Sequence, residues 1–343
     1  MSLLELMWLK TGWMSVRGHP EKVLMFGAPI AAPAPPGLYS ATDLFDGPSG
    51  RGTGQNQGTT VSVPMYIPSL FWSSGYQFLG ANFAMELAQP FYFTAAYPSS
   101  GATLGGNGSG PPFGGTVWFD TIANTRITPV LLEWGLGNGW FVAPGITLIV
   151  PDGSRYNGTL NPDYFTAEPR FSVAYLSKDW HVTANFLYDI NSRSTGHTGT
   201  YQIVANAPPV SLVPPLAAAI AGIGDGYTSG QEAFLDVAAT YQRGKFEIGP
   251  VASFKWQTTS DSPGGGASCA ALALALPASL GCGRATNASV GGLIGYNFGL
   301  VDLQLWATDS VYNKDDYEGW GIFSRVIFKI WGPEAPAKPM MTK

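Results

Sequence analysis

Residues 232–257 read EAFLDVAATYQRGKFEIGPVASFKWQ. Before the Arg243-Gly244-Lys245 turn, Glu232, Asp236, Thr240 and Gln242 alternate with apolar Leu235, Val237, Ala239 and Tyr241. After it the parity switches: Phe246, Ile248, Ala252, Phe254 and Trp256 form the apolar side, and Lys245, Glu247, Ser253, Lys255 and Gln257 the polar one. A period of two on both sides of a short Gly-containing turn predicts an antiparallel hairpin with one wet face and one oily face. Two architectures use such hairpins. A soluble sandwich points the oily face inward and repeats turn signals every eight to twelve residues or so. A membrane barrel turns it to lipid, on strands of about ten residues with aromatics at their ends. These strands run past ten residues and carry Tyr241 and Phe246 at the turn, which favours the barrel.

Composition agrees. Only 12% of the 343 residues are charged, about half the share usual in soluble domains. No uninterrupted apolar window of about 18 residues exists to form a membrane helix. The most apolar stretches, 208–223 and 270–280, are broken by Pro214, Pro215 and Pro277. A net charge of -5 offers no basic patch for nucleic acid. No Gly-rich phosphate loop opens a helix and no Cys/His set has zinc spacing, so neither cofactor nor metal is expected. Cys269 and Cys282 share one loop. A local disulfide in an oxidising compartment is one use, worth about 3 kcal/mol by loop entropy, and two unpaired thiols are the other.

At the N-terminus, Arg17 and Lys22 followed by apolar 23–32 partly fit a secretory signal, whereas Glu5, His19 and the Pro-rich run 29–36 do not. Residues 1–34 are therefore set apart as a signal or pro segment or a disordered N-terminus. Residues 35–331 are read as the barrel, and 332–343 as a Pro-rich tail.

Extended segments at 37–45, 58–71, 76–97, 116–134, 139–150, 164–176, 180–191, 285–298, 300–312 and 319–331 join the opening hairpin, giving about twelve strands. Tight turns at 72–75, 135–138, 177–179, 243–245 and Gly299 alternate with generally longer connections, several rich in Gly, Ser and Pro. In 116–134 the apolar parity changes at Pro129, as a β-bulge would cause. Trp72, Trp134, Trp140, Trp180, Tyr241, Phe246, Tyr296 and Phe298 gather at the tight-turn ends, like one rim of an aromatic girdle. The expected fold is all-β: a transmembrane antiparallel up-and-down barrel with short periplasmic turns and long extracellular loops, in a bacterial outer membrane. Closure is required because lipid satisfies no open strand edge.

Several short patterns resemble the outer-membrane channel family associated with the meta-pathway of phenol degradation. They are Pro36-Gly37-Leu38-Tyr39, Val150-Pro151-Asp152-Gly153-Ser154-Arg155-Tyr156 and Tyr188-Asp189-Ile190-Asn191. They continue in Tyr227-Thr228-Ser229-Gly230-Gln231-Glu232 with Asp236, and in Ile248-Gly249-Pro250 with Gln257 and Asp261. The likeness covers most of 37–331; the apolar 208–223 loop and the cysteine loop depart from it. It implies an outer-membrane barrel proposed to admit hydrophobic or aromatic compounds, with no catalytic residues to carry over.

By parity the inward faces carry the acids Glu86, Asp120, Glu168, Asp189, Asp236, Glu247 and Asp302 and the bases Arg126, Arg170, Lys255, Arg325 and Lys329. Mixed signs suit either mutual pairing across a narrow bore or a selectivity lining. The same face carries Phe78, Trp118, Phe234, Trp306 and Phe323. Such rings either offer stacking surfaces to an apolar solute or pack on the N-terminal segment or an inward loop. The expected function is a channel for passive uptake of small hydrophobic or aromatic solutes, in contact with outer-membrane lipid. The alternative is a non-transporting structural protein or a surface receptor or adhesin. Oligomeric state is left unassigned. Catalysis is not expected, since His19, His181 and His197 are the chain's three histidines and none forms a recognisable Ser/His pair.

Overall fold

A computed structural model of the chain describes residues 26–53, 60–61, 64–98, 102–103, 112–113, 116–154, 161–195, 225–266 and 283–333. Cys269, Cys282, His19, His197, the 208–223 and 270–280 runs and most of the Pro-rich tail lie outside the described residues.

Twelve wall strands alternate direction along the chain. The first six are β1 (Gly37–Gly52), β2 (Met65–Phe78), β3 (Ala81–Ala88), β4 (Thr125–Gly137), β5 (Trp140–Val150) and β6 (Thr166–Leu176). They are followed by β7 (Trp180–Asn191), β8 (Glu232–Arg243), β9 (Phe246–Gln257), β10 (Thr286–Asn297), β11 (Val301–Lys314) and β12 (Tyr317–Trp331). Each pairs antiparallel with its chain neighbours, and β1 also pairs with β12 over Leu38↔Trp331 to Gly52↔Tyr317, so the sheet is a closed barrel. The hairpin β8–β9 has the expected register, Glu232↔Gln257, Leu235↔Phe254 and Asp236↔Ser253. Among the described residues no helix is long and apolar enough to cross a membrane; here strands cross it.

The polarity of the wall is inverted relative to a sandwich. Leu70, Val130, Phe171, Ile248, Phe254 and Ile322 are exposed on the outer face. Asp43, Arg126, Glu168, Arg170, Asp236 and Arg325 are buried on the inner one. Apolar surface of this extent suits lipid, and the buried charges face an enclosed bore. Exposed Trp140, Trp180, Tyr241, Phe246, Tyr296 and Phe298 ring the tight-turn end.

Several boundaries differ from the sequence reading: the first strand runs on to Gly52 and the second begins at Met65. The turn between β2 and β3 falls at Leu79-Gly80, with φ of 52° and 79°, a two-residue hairpin turn rather than a turn at 72–75. Ser73, Ser74 and Gly75 instead occupy a bulge within β2, where the register shifts between Ser73 and Gln77. Small residues serve both devices, so composition alone did not separate them. The long segments 76–97 and 116–134 also break, at 89–90 and 123–124, and their outer pieces, Phe91–Pro98 and Thr116–Ile122, pair with each other past the wall. The shift at Pro129 is present: opposite β5 the pairing jumps from Val130 to Ile127, and opposite β3 from Leu131 to Thr128.

The segment set apart as 1–34 is in part inside the barrel. Residues 26–34 run back from the start of β1 into the lumen. Phe26 is wholly buried, and Ala31 packs among Ala84, Leu131, Ala143 and Ala174. Short inward side chains on β3, β5 and β6 make the space for it. A run of Pro and Ala has no strand or helix period, so its lumenal place is set by contacts distant in sequence.

Candidate functional site

Two polar constructions occupy the barrel, one in the lumen and one at the long-loop end. In the lumen, Arg325 on β12 is the hub. Its Nε donates to Asp43 Oδ1 at 2.8 Å, and its Nη1 donates to the Phe26 carbonyl at 2.9 Å. The guanidinium also lies 5.1 Å from the Trp306 ring centroid, a cation–π distance. Trp306 stacks on Phe323 at 5.2 Å with an interplanar angle of 2°, and Phe26 meets it edge-on at 6.4 Å. Phe45 closes the group, 4.4 Å from Phe323. Gln304 donates to Glu247 Oε1 at 2.7 Å and to the Gly27 carbonyl at 3.5 Å. Ser73 donates to the Ala34 carbonyl at 2.7 Å. Burying the Phe26 ring contributes roughly 2 kcal/mol and a charge-assisted hydrogen bond about 1.5–3 kcal/mol. Ring and guanidinium therefore share the hold on the segment.

Across the lumen the charges answer one another. Arg126 Nη2 donates to Glu168 Oε1 at 2.7 Å, and Arg170 Nη1 to Glu86 Oε2 at 3.1 Å. Thr128 and Thr147 lie between them, 2.9 Å apart. Asp236 accepts from Asn185 Nδ2 at 2.8 Å, and Lys255 pairs with Asp316. Glu247 accepts from Gln242 at 2.7 Å, and Asp302 accepts from Asn297 near the tight turns. Lys329 lies 5.9 Å from the Tyr39 ring. Between this arc and segment 28–34 is a cavity of about 360 Å³, lined by Ile30, Ile67, Phe71, Ile327 and Tyr39 and by the paired charges.

Of the aromatics expected inside, Trp306 and Phe323 are there and pack on Phe26, and Phe234 shares the inward face of Glu232 and Asp236. Phe78 is not inside. The late turn pairs it with Ala81, out of phase with inward Asn82, and leaves it 58% exposed at the outer rim. The strand holding Trp118 and Asp120 belongs to the hairpin past the wall, and their side chains lie outside the described residues. The sequence reading missed Asp43, Gln304 and Glu133. Glu133 was recoverable, because the bulge at Pro129 shifts the phase and turns it inward. Asp43 and Gln304 fall on the inward parity of β1 and β11. His181 is half-buried beside Thr240.

At the long-loop end, the stretches 150–154, 188–191 and 227–232 converge with Gln257 and Asp261, whereas 36–39 and 248–250 lie near the tight turns. Asp261 accepts from the Tyr227 hydroxyl at 2.8 Å and the Gly230 amide at 2.7 Å, and Gln257 donates to it. Asn191 donates to the Gly230 carbonyl at 3.0 Å, and Thr166 to Asn191 at 2.7 Å. Asn124 joins the 151–154 stretch by accepting from the Gly153 amide at 3.0 Å, and Asn161 donates to the carbonyls of Ile122 and Ser154 at 2.8 Å. A Cβ on Gly153 would stand 2.8 Å from the backbone carbon of Ala123, and one on Gly230 would stand 2.1 Å from the Thr259 carbonyl oxygen, so backbone rather than a movable side chain excludes any larger residue there. Asp189 and Glu232 face each other across β7 and β8 in the same layer, wholly buried. Burial there pushes the nearby Tyr164 phenol above its ordinary value.

Comparison with known proteins adds to this geometry. The family described as "Putative MetA-pathway of phenol degradation" matches residues 45–326. Among solved structures, the COG4313 outer membrane channel from Pseudomonas putida F1 aligns with a TM-score of 0.61 at 11% identity, over 86% of this chain and 96% of that one. The beta domain of the Bordetella autotransporter BrkA aligns at 0.41 and 12% identity, over 86% and 100%. The Pseudomonas putida toluene transporter TodX aligns at 0.40 and 11% identity, over 88% and 92%. No curated protein matches significantly in sequence. With the match running from β1 to β12 over a closed twelve-stranded wall, the chain belongs to this family of outer-membrane channels linked to phenol degradation, and its place is the bacterial outer membrane.

Proposed function

We propose that the chain is a passive channel admitting small hydrophobic or aromatic compounds. The observation that carries this reading is the character of the lumen: Arg126, Arg170 and Arg325 are each paired with an acid, and the cavity they border is lined largely by apolar and aromatic side chains. A general aqueous pore needs hydrated polar walls, whereas a cavity lined by Ile67, Phe71, Ile327 and Tyr39 suits an apolar guest. Membership in a family linked to phenol degradation supports the same class of solute. The test is uptake of a neutral aromatic solute into liposomes holding the protein, with single-channel conductance recorded in planar bilayers. Uptake that falls in a Phe71→Ala, Ile327→Ala double variant of the cavity lining, with blockade of conductance by aromatics, is the expected result. Unchanged uptake in that variant overturns the reading.

Segment 26–34 favours a second reading, a non-conducting structural protein or surface receptor, because it fills much of the bore. Stable insertion with neither conductance nor uptake would select it.

A further inference from the structure

The cavity beside segment 28–34 has a polar feature that the channel reading does not use. Glu133 on β4 lines it and is only 1% exposed. Its Oε2 accepts from Asn82 Nδ2 at 2.6 Å, while Oε1 has no hydrogen-bond partner. The arginines on the lining are paired, Arg126 with Glu168, Arg170 with Glu86 and Arg325 with Asp43, and the remaining acid there, Asp302, accepts from Asn297. A buried carboxylate oxygen without a donor is costly, and here it borders a cavity with an otherwise largely apolar lining. A guest carrying a donor would satisfy it, and a guest carrying an anion would be repelled by it.

We propose that this cavity is a binding station for amphiphiles of one or two rings whose polar head, a hydroxyl or an amine, donates a hydrogen bond to Glu133 Oε1. The proposal rests on the reading of the lumen as a solute path and adds a rule of selection to it. A volume of about 360 Å³ lies at the small end for ligand sites, which limits the body to one or two rings. The guest's apolar part lies along Ile30, Ile67 and Phe71. Its head reaches the Glu133–Asn82 pair near the tight-turn end. Carboxylated analogues are rejected because the arginines that would receive them already hold acids.

The test is direct binding, by titration calorimetry, of phenol, benzylamine, benzoate and toluene to the full-length chain folded in detergent, with heat-modifiable gel migration to verify the barrel. Phenol, benzylamine or both bind at least about tenfold tighter than toluene and benzoate, the scale of one hydrogen bond to a charged acceptor. The ranking of phenol against benzylamine tells which donor the station prefers. Glu133→Gln, which keeps shape while offering an amide, reduces that preference about tenfold, and Ala41→Phe, which fills the cavity from β1, weakens all four probes. Equal binding of phenol and toluene, tight benzoate, or an undiminished preference in Glu133→Gln overturns the proposal. Binding is read separately from transport. Selective binding without uptake removes the channel reading and keeps the station; uptake without selective binding does the reverse.

Discussion

The two sides of the lumen treat the same segment in opposite ways. The arc of β1, β11 and β12 grips it: Phe45, Trp306 and Phe323 meet Phe26, and Arg325 ties the Phe26 carbonyl to Asp43. The arc of β3 to β7 stands off except at the alanines around Ala31, and its arginines are spent on acids of the same arc. A barrel of twelve strands lies between the eight whose side chains fill the interior and the sixteen or more that leave an aqueous channel. One wall therefore supplies bulk and the other supplies space. The contrast teaches that charge on the β3–β7 arc holds the wall together, while on the opposite arc rings and one guanidinium together hold the lumenal segment.

That division can be broken in order of size. Arg325→Ala removes the hub and leaves Asp43 buried without its cation, a loss of about 3–5 kcal/mol in urea unfolding from lipid vesicles, accompanied by higher conductance as the segment loosens. Trp306→Ala deletes the central ring of the gripping arc and costs about 3 kcal/mol in the same assay. On the opposite arc, Ala174→Phe crowds Ala31 and costs about 1–3 kcal/mol as overpacking. Should it cost nothing, the alanine seat is looser than its burial indicates. Phe78→Ala, at the outer rim, changes stability by no more than about 0.5 kcal/mol and leaves aromatic uptake intact; a large drop in uptake would restore the ring to the lumen.

The wall was legible wherever alternation ran unbroken. The 232–257 hairpin, the strand at 180–191 and the shift at Pro129 follow from a period of two and from the missing donor of proline. Legibility failed where one residue type serves two devices: Ser73, Ser74 and Gly75 look like a turn and make a bulge, and Phe78 moved to the outer face with that error. It failed again where no period exists. Residues 26–34 are mostly proline and small apolar residues, and their partners Arg325, Trp306 and Ser73 are too far away in the chain for a local pattern to reveal them. The lumenal charges were found by parity, but who pairs with whom depends on the register between strands that are not neighbours, such as Glu86 with Arg170 on β6. The mouth motifs were visible as short strings, yet only folding shows that they meet.

That meeting has a consequence for the outer surface. Gly230, Asn161 and Asp261 pin the loops where they leave the barrel, so the wall registers only the anchor points and not the length of chain between them. Closing a flexible loop twice as long costs only about 0.6 kcal/mol more. The bonds from Tyr227 and Gly230 to Asp261 thus leave the shape of the barrel mouth indifferent to what is strung between its anchors.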